Sequence, residues 1–411
     1  MNGRSRRTAA GDAEAAARSS YGRLLSIVAA RSGDIASAED ALADAFAAAL
    51  EQWPRDGVPG NPLGWLIAVA RRRAGRSAER DRTAVRGAQT VLLLHAERAI
   101  AGEPGWSDRR LELMFACTHP AIALEVQAPL MLQTVLGVDA ATIAASYLIS
   151  PASMGQRLVR AKRRIRDTGI AFRVPDASDL AERIEAVLSA IYAAYGTAWD
   201  DVMGADGRLA GLADEAIWLA RVLVRLLPDE PEPIGLLALM LYCEARRPAR
   251  RDADGEFVPL LSQDTSLWEP AKLREAESLL RDAAAKARPG RFQTEAAIQS
   301  LHVQQRLTGE RFAYPLARLY DVLAGFAPTA GALSARAVAH AECGNAVAAL
   351  GMLDAIEGIE GYQPWWAARA RIASLAGDAI EAERSAAIAA GLTSDPAIRR
   401  FLLDGAYRHR D

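Results

Sequence analysis

The sequence predicts an all-α protein, with two small helical modules ahead of an α-solenoid. Three observations carry the prediction. Apolar residues recur at helical spacing along most of the chain, the alternating β-branched runs that strands need are nearly absent, and alanine, the best helix former, is abundant. A chain of 411 residues has room for about two to four domains. With 51% hydrophobic and 24% charged residues, each has apolar side chains enough for a core.

Charge and cysteine usage narrow the classes. A net charge of −2 excludes a molecule that coats nucleic acid with its whole surface, so any such contact has to come from local basic patches. Cys117, Cys243 and Cys343 are far apart and odd in number, which suits neither a disulfide framework nor a zinc site and fits a reducing cytoplasm. The polar N-terminus has no apolar stretch of the secretory kind behind it, and no apolar run is long enough to span a bilayer. A cytoplasmic protein without membrane contact is expected.

The first module is expected over residues 12–82. Its clearest helix begins near Ile35, where Leu42, Ala45, Phe46, Ala49, Leu50 and Trp53 follow the i, i+3, i+4 rule and form an apolar face. Glu39, Asp40, Asp44 and Glu51 lie off that face. From Trp53 to Pro62 three prolines and two glycines mark a loop. Asn61 suits the cap of the next helix and Pro62 its first position. That helix is apolar in front and carries Arg71, Arg72, Arg73, Arg76, Arg80 and Arg82 behind. The arginines read either as phosphate ligands or as cations that complement the helix dipole. Residues 83–107 read as a partly helical connector.

The second module is expected over residues 108–170. Helical pattern runs from Arg109 to Leu136, with a break at Cys117–Pro120 and an end at Gly137. Asp139 suits the cap of a short helix, and Leu148, Ile149 and Ser150 make a tight turn. Ser150 then caps a basic helix whose first residue is Pro151. Short helix, tight turn, basic helix is the order of a helix-turn-helix. On the basic helix Met154, Leu158, Ala161 and Ile165 fall within about 60° of one another and point inward. Ala152, Ser153, Gln156, Arg160, Arg163 and Arg164 take the other side. That face starts with short polar groups, suited to base edges in the major groove, and ends in arginines, suited to phosphates.

Residues 167–179 read as a linker, and 180–411 as a third domain with thinner basic clusters. Gly309, Gly344 and Gly377, spaced 35 and 33 residues apart, each open a turn followed by a helix. The period of about 34 residues is that of tetratricopeptide repeats, so the tail is read as a TPR-like solenoid.

The segments AEDALADAFAAALEQW and NPLGWLIAVARRRAGR, followed by ATIAASYLISPASMGQRLVRAKRRIR, resemble extracytoplasmic-function (ECF) sigma factors over about residues 15–170. LVRAKRRIRDTGIAFRVP, LLPDEPEPIGLLALMLYCEARRPAR and the repeat tail resemble the subgroup with a C-terminal helical extension. The resemblance implies that residues 12–82 are region two and 108–170 region four of a sigma factor. Glu39, Asp40 and Asp44 would then meet the polymerase clamp. The loop Pro54–Asn61, with Trp53, Arg55, Asn61 and Trp65, would receive an unstacked base of the −10 element, a step that costs a few kcal/mol. Arg71, Arg72, Arg73 and Arg76 would hold that strand. Ser153, Gln156, Arg157, Arg160, Arg163 and Arg164 would read or grip the −35 element. Three departures stand out: Gly75 where relatives carry an acidic residue, IYAAYGTAWDD where they carry an FNEGY-like segment, and Gly155 where a basic residue is common.

Other motifs carry little. Cys117 and His119 are too few for a metal site. RDADGEF lacks the spacing of a calcium loop and reads as a DG turn between short extended segments. His302 and His340 show no partner in sequence and read as packing residues, as do Trp365 and Trp366 between repeats. No catalytic residue, metal or cofactor is expected. The expected function is promoter-specific transcription initiation, with core RNA polymerase and promoter DNA as partners and a protein or peptide partner for a regulatory solenoid. The competing readings are a stand-alone helix-turn-helix regulator and a TPR-type scaffold.

Overall fold

The structure, a computed structural model, describes residues 20–80, 109–147, 149–200 and 211–405; of these, 74–80, 145–146, 177–178, 181–182 and 197–200 are described as helical backbone. The expected connector 83–107, Leu148, Arg82 and the side chains of Arg76 and Arg80 lie outside the described residues. Described residues form helices, turns and short 3-10 segments, with a single isolated bridge of extended backbone between Arg251 and Phe257. No described helix is long and apolar enough to cross a membrane. The chain divides into two compact units, Met1–Leu219 and Ala220–Asp411.

In the first unit α1 (residues 20–32) ends at Gly33, whose φ of 68° is left-handed. Asp34 then caps α2 (Ile35–Asp56): its Oδ1 accepts from the amides of Ala36 at 3.0 Å and Ser37 at 3.3 Å. Ile35, Ala38, Leu42, Ala45, Ala49 and Trp53 are buried along α2. The expected apolar face is corrected at its edge, because Phe46 is only partly buried and Leu50 is exposed. Helix α2 also continues through Pro54, where a loop was expected. The proline deprives only the carbonyl of Leu50, on the solvent side, and the Gly57 amide still closes the last turn on Trp53 O at 3.0 Å. Asn61 Oδ1 accepts from Gly64 N at 3.0 Å and starts α3 (Pro62–Arg80) as expected.

The helices α4 (Arg110–Cys117), α5 (Leu124–Thr134), α6 (Ala140–Ser146) and α7 (Pro151–Thr168) follow. Asp139 Oδ1 caps α6 through Ala141 N and Thr142 N, both at 3.0 Å. Ser150 Oγ caps α7 through Ser153 N at 3.2 Å, with Pro151 in the first turn. α6 and α7 pack on each other across the turn. Met154, Leu158, Ala161 and Ile165 are buried, as their spacing predicts.

These helices and the first module form one unit. Gly22 of α1 lies so close to α5 that a Cβ would overlap the Val135 carbonyl oxygen. Lys162 of α7 is buried, and its Nζ donates to both carboxylate oxygens of Glu39 on α2 at 2.7 Å. Arg166 stands 3.9 Å from Asp34.

The expected linker after α7 is packed. Gly169 caps α7 at φ 65°, Ile170 and Phe172 are buried, and Arg109 donates to the Phe172 carbonyl at 3.4 Å. α8 (Ala177–Asp200) packs on α4 and α5. Its Arg183 donates to the Phe115 carbonyl and, at 3.4 Å, to Thr118 Oγ1. The buried Arg110 pairs with Glu215 of α9 (Leu212–Leu226) and sits 4.5 Å from the centroid of a Trp218 ring. The fold therefore divides within α9, well beyond the junction near residue 180 expected from composition, because α8 and the start of α9 complete the packing of α4.

In the second unit α10 (Pro231–Ala245) is buried on nearly every side between α11 (Pro270–Ala285) and α12 (Arg291–Thr308). Gly235 lets the backbone of α12 approach at Gln293, and Glu232 accepts from the amides of Phe292 at 2.8 Å and Gln293 at 3.2 Å, capping α12 from outside. Six helices follow: α13 (Ala313–Phe326), α14 (Ala330–Glu342), α15 (Ala346–Asp354), α16 (Gln363–Ala376), α17 (Ala379–Leu392) and α18 (Pro396–Leu403). Gly309, Gly344 and Gly377 sit in the turns α12–α13, α14–α15 and α16–α17, with φ of 74°, 90° and 84°. Trp365 and Trp366 meet edge to face at 4.7 Å, and both indole nitrogens donate to backbone carbonyls. His340, expected to be a packing residue without a partner, instead sits 2.9 Å from Asp321, which also accepts from Arg336 at 2.6 Å. In RDADGEF, Asp252 accepts from the amides of Asp254 and Glu256 and Gly255 takes φ 79°, a DG turn between the bridged Arg251 and Phe257.

Three outcomes are expected. Gly22→Ala destabilises the first unit by about 3 kcal/mol or more, because the overlap is with backbone. Glu39→Ala costs about 3 kcal/mol by leaving the Lys162 charge buried alone, and the double change Glu39→Leu, Lys162→Met recovers most of it. Hydrogen exchange of α1, α2 and α7 in the full chain measures both. A fragment ending at Leu219 keeps native exchange protection in α4, whereas one ending near residue 175 loses it together with Arg183, Glu215 and Trp218.

Candidate nucleic-acid interface

The outward face of α7 follows from its inward one. Burial of Met154, Leu158, Ala161 and Ile165 leaves Ser153, Gln156, Arg160, Arg163 and Arg164 exposed, with Arg157 half-buried at the edge. The Ser153 hydroxyl lies 3.0 Å from Ser150 Oγ, so part of its hydrogen-bonding capacity serves the cap. Arg163 is 3.5 Å from Asp167 in a pair exposed on both sides, which contributes little and is easily exchanged.

Beside this face runs an open groove of about 510 Å³. Arg157, Arg160 and Arg164 line one wall, Ile122 and Val126 give it apolar lining, and Glu125 is its acidic member. The N-terminus of α5 borders it without a side-chain cap. Three guanidiniums in a shallow groove next to a helix N-terminus suit an anionic oxygen such as a backbone phosphate. Sequence reasoning placed these arginines on α7 but had no means of placing the α4–α5 turn opposite them.

The first module places its expected residues less uniformly. Trp53 is 2% exposed and packs edge to face on Trp65, ring centroids 5.6 Å apart. Its expected contact with a base is corrected: Trp53 is a core residue under the loop that follows α2, and Trp65, half-buried, covers it. Arg55 and Asn61 are exposed at either end of that loop, although the Asn61 side chain is engaged in capping α3. Arg71 and Arg72 are half-buried and Arg73 is exposed.

Two of the expected polymerase contacts are engaged within the chain. Glu39 holds Lys162, and Asp44 accepts from Arg73 at 3.0 Å. The second pair is about half exposed, at 48% and 55%, so water screens it and either partner can be given up to a ligand. The first is not of that kind, since its lysine is buried. Asp40 is exposed. Burial, with Glu39 and Asp40 as near charges, pushes the Tyr21 phenol above its ordinary range.

Lys162 itself went unassigned in the sequence reading. Its signal was present: it lies four residues after Leu158, on the apolar stripe, where a lysine needs a carboxylate brought by another element. At Cys117 and His119 the structure shows turn chemistry. The Cys117 thiol, 3.7 Å from Thr134 Oγ1, is pushed by burial up to about 12, and His119 Nδ1 accepts from Ala121 N at 3.1 Å.

Comparison with known proteins places these elements. Residues 17–83, which hold α1 to α3, match Sigma-70 region 2. Residues 183–284, from within α8 to within α11, match a family of unknown function (DUF6596). An uncharacterized protein of Rhizobium meliloti (strain 1021) is 36% identical over 383 residues, covering 89% of this chain and 89% of that protein. No solved structure matches the chain. The chain belongs to one family with the Rhizobium meliloti protein, and its sigma-70 region 2 supports an RNA polymerase sigma factor.

Proposed function

We propose that the chain is a sigma factor of the ECF type that directs core RNA polymerase to promoters carrying −35 and −10 elements. One observation carries the reading: a chain matching Sigma-70 region 2 also presents, on a capped helix after a tight turn, a face of Ser, Gln and Arg. In this reading residues 108–170 act as region four. Gln156 and Ser153 meet base edges, Arg160 and Arg163 meet phosphates, and the groove of Arg157, Arg160 and Arg164 seats a backbone phosphate. In the first module Arg55, Asn61 and Trp65 border the −10 base, Arg71, Arg72, Arg73 and Arg76 hold its strand, and Asp40 and Asp44 face the polymerase. The chemistry of RNA synthesis belongs to the polymerase, so the sigma factor works where polymerase is, in the cytoplasm. The glycine-turn helix pairs of residues 309–392 support a TPR-like solenoid that regulates the sigma portion through a protein or peptide partner.

Two promoter elements lie apart on a duplex, whereas α7 rests on α2 through Glu39 and Lys162. Reading both at once requires α7 to leave α2, at the cost of separating that pair, so the free chain binds promoter DNA weakly and with steep salt dependence. Labels on α2 and α7 are expected to move apart when core polymerase is added; an unchanged distance in a transcribing complex argues against this opening.

The deciding experiment is transcription by sigma-free core polymerase from a library of promoter fragments, with the full chain and a fragment ending at Leu219. Transcripts with fixed −35 to −10 spacing are the expected result, and their ratio between the two proteins gives the sign of the solenoid's effect. Absence of both transcript and co-elution with polymerase refutes the reading. Arg160→Ala is expected to weaken binding of the polymerase complex across all sequences and to lower the salt slope by about 1. Gln156→Ala is expected to relax preference at one base pair, at about 1–3 kcal/mol of discrimination.

A further inference from the structure

Helix α7 exposes one large apolar side chain. Val159 is 65% accessible, whereas every other large apolar residue of the helix is buried. It lies three residues after Gln156 and four before Arg163, so the three are neighbours on one face, with Arg160 beside them. Nothing in helix formation calls for valine there: a β-branched residue is a poorer helix former than the alanines, the glutamine and the arginines used elsewhere on α7. Nor does packing call for it, since no element among the described residues covers it.

What the major groove offers such a side chain is specific. Base edges there present hydrogen-bond donors and acceptors, and a single apolar group, the C5 methyl of thymine. Valine has no polar atom to compete for the donors and acceptors. Its one strongly preferred rotamer in a helix holds the two methyls in a fixed place, so contact costs little side-chain entropy. A lone exposed valine on a protein surface is ordinary. Its position between a glutamine and arginines on a solvent-facing reading surface is what directs it to a ligand.

We infer that Val159 determines specificity by packing on the methyl group of a thymine in the −35 element, about one base pair from the base read by Gln156. This rests on the proposed reading of α7 as a −35 helix and adds the class of base that its centre selects. The polar and arginine contacts alone leave that position open.

The test uses the full chain with core polymerase and a promoter duplex obtained from the transcription library. Each thymine of the −35 element is replaced singly by deoxyuridine, which removes the methyl and leaves every hydrogen-bonding group. At one position the wild-type complex is expected to bind about fourfold more weakly, the effect of unburying one methyl-sized group. Val159→Ala is expected to bind thymine and uracil there equally, and Val159→Ile to keep the preference. Alanine favours the helix, so the substitution leaves α7 folded. Equal thymine-to-uracil ratios for wild type and Val159→Ala at every position overturn the inference while leaving the sigma reading intact. Loss of affinity of Val159→Ala for core polymerase without DNA also overturns it, by assigning the side chain to a protein contact. Failure of the wild-type complex to bind any promoter overturns both.

Discussion

Lys162 stands on the apolar stripe of α7, so packing that stripe takes an ammonium group out of water. Alone, such a charge would cost several kcal/mol, and α7 could not close on its neighbours. Glu39 offsets the cost by presenting both carboxylate oxygens from α2. The pair thereby lets the stripe of Met154, Leu158, Ala161 and Ile165 face inward, which leaves Gln156, Arg160 and Arg163 facing out. It also fixes what α7 rests on. The close approach of Gly22 to Val135 and the neighbourhood of Arg166 and Asp34 lie along the same contact between the first module and the helices that follow it. Along that contact the two modules of this unit pack on each other.

Helix ends were the most legible part of the sequence. Asn61 and Pro62, Asp139, Ser150 and Pro151, and Gly137 all stand where their side chains or φ angles demand, because a cap is settled within about four residues. The glycines at 309, 344 and 377 were readable for the same local reason. Partners were not legible. Glu39 and Asp44 looked like a free acidic edge, and only the tertiary fold brings Lys162 and Arg73 to them. Trp53, next to a proline-rich loop, had the look of a base platform; the approach of α3 makes it core. Pro54 misled in the other direction, since a proline in a last turn whose lost acceptor faces solvent need not end a helix. Of the candidate site, the face of α7 was readable from periodicity, and the groove beside it was not, because its second wall comes from a different part of the chain.

The second unit is held by a different economy of contacts. Its central helix α10 is apolar on nearly all sides and needs neighbours everywhere, while the later helices bury mainly alanine against one another and pack on their chain neighbours or, for α14 and α16, on the next helix but one. Polar groups between them are used as fasteners: Glu232 on the amides of α12, Asp321 on Arg336 and His340. Such an array builds stability step by step along the chain.

The seam at α4 has a consequence for descent. The family of unknown function begins in sequence at residue 183, yet Arg183, Glu215 and Trp218 are spent on Phe115, Thr118 and Arg110, which precede it. Across this seam a change on one side strands a cation or a carbonyl on the other, so the two sides have to drift together. Recombination that joins this tail to a foreign helix-turn-helix at the sequence border would inherit half of each contact. The pairs 110 with 215 and 218, and 115 and 118 with 183, are therefore where correlated substitution among homologues should concentrate, marking two regions that travel as one.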